Sequence, residues 1–145
     1  MSDVEGMIAA LGLEPHPEGG YYVETWRADA EAGERPAGSA IYYLLRRGQE
    51  SAWHHVDAAE VWHYYAGDPL ELSIAAASGR EAPERHVLGP DVLAGQRPQV
   101  IVPARDWQSA ASLGDWTLVG CTVSPAFRFE TFELAEPGWE PGPEP

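Results

Sequence analysis

Residues 48–67 read GQESAWHHVDAAEVWHYYAG, and the reading of this stretch decides the fold. Polar and apolar side chains alternate on both sides of a short break, which predicts strands over Ala52–Val56 and Glu60–Ala66. Taken as a hairpin, the pair puts His54 and Val56 on one face, with Glu60, Trp62 and Tyr64 together on one face of the partner strand. His55 and His63 then point the other way, to the outside or to an interface. A carboxylate beside an imidazole is a metal half-site, a general acid/base pair or a structural hydrogen bond. The segment leaves all three open.

Working outward, period-two alternation predicts further strands at Gly20–Trp26, Ser39–Leu45, Leu70–Ala76, Arg85–Leu88, Gln99–Val102, Gln108–Leu113, Trp116–Val123 and Arg128–Leu134. That makes about ten short strands, the spacing of an all-β sandwich or barrel. The breaks fall at turn formers: Arg47-Gly48, Gly67-Asp68-Pro69, Ser78-Gly79, Gly89-Pro90, Gly114-Asp115 and Ser124-Pro125. One short helix is expected over Val4–Leu13, with Ser2 or Asp3 as its cap and PHPEGG as its stop. The chain is read as one domain over residues 1–135. Residues 136–145, rich in Pro and Glu, form a surface or mobile tail whose Trp139 is free to dock.

Composition agrees and excludes whole classes of function. The chain has 145 residues, the size of one domain. Its 15 Gly and 13 Pro make about 19% where ordinary usage sums to roughly 12%, which suits many turns better than long helices. Nine basic against 23 acidic side chains give a net charge of -14, and the basic residues are scattered. Neutralising a phosphate backbone takes clustered cations, so neither nucleic acid nor an anionic membrane is an expected partner. Every basic residue is arginine, and the absence of lysine excludes Schiff-base and P-loop chemistry. A single cysteine, Cys121, and the lack of a secretion-type N-terminus point to the cytoplasm. Cys121 sits among alternating apolar residues and reads as a small buried sulfur.

The opening stretch resembles the first motif of the cupin superfamily: Gly48, His54, Glu60 and Gly67 stand at its spacing, and Val56 stands where its second histidine would be. PQVIVPARDWQSA resembles the second motif, with Pro103 in place, Arg105 for its glycine and Gln108 for its metal-binding histidine. Four ordered segments, LGLEPHPEGGYYVETWR, SAIYYLLRRGQESAWHHVDAAEVWHYYAGDPLEL, VIVPARDWQSA and LVGCTVSPAFRFETFELA, are similar to the cupin subfamily catalogued as domain of unknown function 985. The chain departs from that pattern at Val23 and His55, where arginine is more usual. The resemblance implies a double-stranded β-helix, the jelly-roll barrel, paired into a homodimer through an edge strand. Relatives on this fold include epimerases, isomerases, dioxygenases and storage proteins, so fold does not give function.

Cupins of standard pattern hold a divalent metal with three histidines and a glutamate. Of those positions the chain keeps His54 and Glu60, with Gln108 as a weak oxygen donor, so a divalent metal is a marginal expectation. Without metal, His54 and Glu60 make an acid/base pair, because burial raises a carboxyl and depresses an imidazole toward neutrality. The first expectation is therefore a small-molecule-binding cupin that isomerises or epimerises a sugar-like or acidic substrate. The alternatives are a non-catalytic ligand-binding or scaffold cupin and a metal-dependent enzyme. Trp62, Tyr64, Tyr22, Tyr43 and Gln108 are the expected ligand-binding residues, with Trp53 and Trp107 at the rim. Among the cations, Arg27 lies near these segments, Arg46 and Arg47 read as solvated, and Arg105 is expected at the barrel mouth. Glu18, with His16 in PHPEGG, has two readings: a functional one, charged residues beside a paired-glycine turn, and a plain one, a cap on that turn.

Overall fold

The protein, described over residues 2–144 by a computed structural model, is built from one helix and two antiparallel sheets. The elements run α1 (Asp3–Leu11), β1 (Glu14–Pro15), β2 (Tyr21–Arg27), β3 (Ser39–Arg46), β4 (Glu50–His55), β5 (Ala59–Gly67), β6 (Leu70–Ala75), β7 (Glu84–Leu88), β8 (Gln99–Val102), β9 (Trp107–Ser112), β10 (Trp116–Ser124) and β11 (Glu133–Leu134). One sheet has the order β1-β2-β3-β10-β5-β8 and the other β11-β4-β9-β6-β7. This is the all-β architecture that the alternation predicts, in the jelly-roll form that the resemblance implies. Among the described residues, no helix is long and apolar enough to cross a membrane.

The core lies between the sheets because alternate residues of each strand face inward. Tyr43 and Leu45 of β3, Trp62 of β5 and Val119 of β10 meet Leu70 and Leu72 of β6 and Ala110 of β9, and all are buried. The Tyr43 and Trp62 rings meet edge to face with centroids 5.9 Å apart. Outside, α1 lays Met7, Ile8 and Leu11 over Leu44 and Leu118, forming a second, smaller cluster. Its start is held by a capping box, in which the Ser2 hydroxyl accepts from the Glu5 amide at 3.2 Å and Glu5 Oε2 accepts from the Ser2 amide at 3.3 Å.

Two expectations are corrected. The strands around His54 and Glu60 are not a hairpin: β4 pairs with β9 and β11, β5 pairs with β10 and β8, and residues 56–58 carry the chain from one sheet to the other. Two strands three residues apart need not pair when their apolar faces gain more by facing each other across a core. Arg128–Leu134 is not one strand either. A single 3-10 turn over Phe129–Thr131 precedes the two-residue β11.

In the tail, Trp139 docks on the outer face of the second sheet. Its ring lies 4.5 Å from that of Trp107 and 6.2 Å from that of Trp53, centroid to centroid, and the Gly142 amide donates to the Gly79 carbonyl at 3.1 Å. Gly79, at φ 72°, leaves room for the indole that a Cβ would crowd. Trp139→Ala is expected to lower stability by about 1–2 kcal/mol, less than truncation of a fully buried tryptophan because this ring is partly exposed. A urea midpoint identical to that of the parent would show the tail to be undocked.

Candidate functional site

The site starts with an extra residue in β4. Ser51 pairs with Ala110 and His54 with Gln108, so three steps along β4 match two along β9. Strict alternation would send Ser51 and His54 to opposite faces; the bulge turns both inward, where both are buried. Val56, past the strand end, is also inward and buried. His55 stays outside, its Nε2 2.8 Å from Glu133 Oε2 and its ring edge-on to Trp107.

A loop from β1 to β2 reaches in to meet these groups. The His16 amide donates to the Gly20 carbonyl at 2.9 Å, and the Ala52 amide donates to the Glu18 carbonyl at 2.8 Å, which ties the loop to β4. Gly19 has φ 108°, and a Cβ there would collide with the Glu50 carbonyl oxygen, so only glycine lets the loop lie this close. The Tyr43 hydroxyl donates to the Gly19 carbonyl from below. The Glu18 side chain is thereby turned into the barrel. Its Oε1 accepts from the Ser51 hydroxyl at 3.0 Å, and its Oε2 lies 3.0 Å from His54 Nε2.

The proton count of this pair follows from its neighbours. His54 Nδ1 lies 2.7 Å from the Ala52 carbonyl, which can only accept, so Nδ1 carries a proton. Glu18 and His54 Nε2 therefore share one further proton between them. Burial pushes the Glu18 carboxyl up to about 8 and pushes the His54 imidazole below its ordinary value. Both shifts favour the neutral pair, in which the Glu18 carboxyl donates to Nε2.

Glu60 comes from the facing sheet. Trp62 Nε1 donates to Gln108 Oε1 at 2.8 Å, which fixes the amide so that Gln108 Nε2 donates to Glu60 Oε1 at 2.9 Å. Burial pushes Glu60 up to about 7, and the neighbouring Glu18 adds to this, while His54 and the Gln108 bond pull the other way. The Cys121 thiol lies against the same carboxyl and also favours its ionised form.

These groups line a cavity of ≈ 320 Å³. His54, Glu18, Glu60 and His16 supply its polar surface; Val56, Ile41, Cys121, Val123 and Tyr22 supply walls; Phe127, Phe129, Arg27 and Arg128 stand at the mouth. His54 and Glu60 thus open onto one space, but the direct partner of His54 is Glu18. Of the expected ligand-binding residues only Tyr22 lines the cavity. Trp62, Tyr43 and Gln108 are fully buried behind it, and Tyr64 spends its hydroxyl on the Gly67 carbonyl at 2.6 Å. Trp53 and Trp107 lie outside under Trp139, and Arg105 is exposed away from the mouth, since its amide binds the Val56 carbonyl at φ 72°. Sequence reading singles out Glu18 and His16 beside the glycine turn but does not place them in the cavity. The signal was there, two ionisable side chains beside paired glycines, but nothing local says that the loop enters the barrel.

The side chains do not suit a divalent metal. Among the described residues, no group of three or more His, Cys, Asp or Glu side chains is placed to hold one. The donor chemistry gives the reason: Val56 has no lone pair, the Gln108 oxygen is taken by Trp62, and His54 Nε2 is engaged by Glu18.

The same groups set the pH dependence of stability. Glu18 and Glu60, raised from 4.5, hold more protons folded than unfolded, so their contribution is lost as pH rises toward about 8 and about 7. His54, lowered, and His16, lowered to about 4, work the opposite way below 6.5. Tyr43 and Cys121, both raised by burial, titrate above this range. The two effects oppose each other in acid, and stability is expected to fall from about pH 6.5 to 8. Glu60→Gln should flatten that fall by on the order of 1 kcal/mol. Denaturation midpoints that rise with pH across this range would contradict the assignment.

Comparison with known proteins follows the geometry. Residues 5–135 match the family model described as Cupin superfamily (DUF985). The chain is similar to a protein of Shewanella oneidensis solved by X-ray crystallography, with 37% identity and a TM-score of 0.86 over 94% of this chain and 86% of that one. It is also similar to a hypothetical protein from Leishmania major, with 32% identity and a TM-score of 0.84 over 95% and 90%. Oxalate decarboxylase of Bacillus subtilis, at 13% identity and a TM-score of 0.62, shares only the fold, over 83% of this chain and 29% of that one. No functionally curated protein matches. With its two sheets, its inward Glu60 and His54 and a match over residues 5–135, the chain belongs to the cupin superfamily, in the family described as DUF985.

Proposed function

We propose that the barrel binds a small sugar-like hydroxy-carbonyl compound and moves a proton between its carbons, as isomerases and epimerases do. The observation that carries this reading is the convergence of two acid/base groups from facing sheets, the Glu18–His54 pair and Glu60, on one cavity of ≈ 320 Å³. That volume suits a small molecule. Proton transfer is most efficient from groups whose pKa lies near the working pH, and burial brings both carboxyls there.

In this reading one group removes the proton from the carbon next to the carbonyl, and the other returns it to the adjacent carbon or to the opposite face. Glu60 in its ionised form is the base, with Gln108 and Trp62 holding its Oε1 so that Oε2 meets the substrate. The Glu18–His54 pair supplies the return proton. An acidic substituent would sit at the mouth beside Arg128, whose guanidinium is half-exposed 3.7 Å from Asp57 Oδ2. Arg27 is already engaged by Glu24 at 2.9 Å and by the Phe127 carbonyl at 2.8 Å.

A panel of aldoses, ketoses and short hydroxy-ketones in D2O tests the reading by NMR. Wild-type protein is expected to exchange the carbon-bound proton of at least one member, and His54→Ala and Glu60→Gln are each expected to slow this by roughly 10²-fold or more. A silent panel, or exchange that survives both substitutions, would overturn it.

The homodimer belongs to the same proposal. β8 ends its sheet, and Ile101 and Tyr65 on the outer face are 63% and 51% exposed. An open strand edge with apolar neighbours suits pairing with a second copy. Sedimentation is expected to give a dimer at micromolar concentration, and a monomer would refute it.

A further inference from the structure

We propose that His16 is the residue that binds and polarises the substrate carbonyl, acting as a fixed neutral N–H donor in the cavity. This rests on the proton-transfer reading above and names the group that reading lacks: something to hold the carbonyl oxygen while the neighbouring carbon loses its proton.

The backbone fixes the tautomer of His16. The Glu18 amide donates to His16 Nδ1 at 3.0 Å. An amide can only donate, so Nδ1 keeps its lone pair and the proton of the ring sits on Nε2. The ring lines the cavity, its side chain is only 5% exposed, and Nε2 has no hydrogen-bond partner among the described residues. A buried N–H facing an open space is a donor waiting for an acceptor.

The ring is also held still. It stands edge-on to Tyr22 at 4.5 Å and to Tyr43 at 5.7 Å, with Phe132 at 6.2 Å. Its acceptor contact is with the backbone of Glu18, so the donor and the shared-proton pair move as one unit. Protonation would break the Glu18 amide contact, and burial, followed by the nearby His54, lowers the His16 pKa to about 4. The imidazole stays neutral across the working range. A neutral imidazole is a suitable electrophile here, because it stabilises an oxyanion without handing over its proton.

His16, with its free Nε2–H, and the Glu60 carboxyl line the same cavity, and together they define the substrate class. The first requires an acceptor and the second, when ionised, a donor or an acidic carbon. A neutral 2-hydroxy aldehyde or ketone presents both. In the step, Glu60 takes the proton from the carbon, the C–H pair becomes the carbon–carbon double bond, and the carbonyl π pair moves onto the oxygen that His16 Nε2–H holds. The Glu18–His54 pair then gives a proton to the opposite face of the same carbon as the oxygen pair re-forms the carbonyl; Glu60 is left with one proton more and the pair with one fewer, and exchange with water at the cavity mouth resets both.

The test uses glycolohydroxamate, a neutral planar mimic of such an enediolate, and ¹⁵N-histidine NMR on the full chain. His16 is expected to show a protonated Nε2 from pH 8 to pH 5 and to shift when the probe binds. His16→Phe, which keeps an aromatic ring in the nest, is expected to weaken probe binding and slow D2O exchange at least 10-fold, with the His54 signals unchanged. A protonated Nδ1, titration near the ordinary histidine value, or binding and exchange unchanged in His16→Phe would overturn the role of His16 alone. Failure of the wild-type protein both to bind the probe and to exchange any member of the panel would remove the proton-transfer reading and this inference together.

Discussion

One proton shared between Glu18 and His54, 3.0 Å apart, organises the interior of this barrel. Two opposite charges buried side by side cost desolvation that their attraction barely offsets, whereas a neutral carboxyl donating to a neutral imidazole loses little water. Ala52 fixes His54 from one side and Ser51 fixes Glu18 from the other, so the pair has a single geometry. That geometry depends on two backbone irregularities, the extra residue in β4 and the left-handed Gly19. Each looks like a local defect. Together they bring residues from two distant segments into one hydrogen-bond chain.

The opposite wall is built on a different principle. Trp62, Gln108 and Glu60 form a chain of donors whose direction is set by the indole N–H, a group that can only donate. Gln108 stands where the superfamily motif has a metal-binding histidine, and here it orients a carboxyl instead. Val56, in place of the other histidine, contributes apolar wall. The barrel keeps the cupin frame while its inner surface offers neutral acid/base groups in apolar surroundings, where hydrogen bonds are stronger than in water.

Much of this was legible from residue order. Alternation is a local property of strands, so the opposite facing of His54 and His55 and the shared face of Glu60 and Trp62 followed from period two, whereas the inward turn of Ser51 together with His54 took the bulge in β4. The helix was legible from its near-helical apolar spacing and its Ser2 cap, though it ends at Leu11 on the left-handed Gly12 and not at Leu13. The hairpin expectation failed because pairing is chosen by the whole sheet: β4 finds β9 more than fifty residues on, and β5 finds β10. Trp62 and Tyr43 share the inward face but fall in the packed part of the core, and no count along the strand tells a lining residue from a filling one.

The sequence by itself determined the class of fold and which strand faces are buried, because both rest on spacing between near neighbours and on turn residues. Only the tertiary structure decided who meets whom inside. Glu18 lies 33 residues from Ser51, and Gln108 lies 48 from Glu60. Contacts of that span are set by the path of the loop and the offset of the strands, which depend on the closure of the entire barrel.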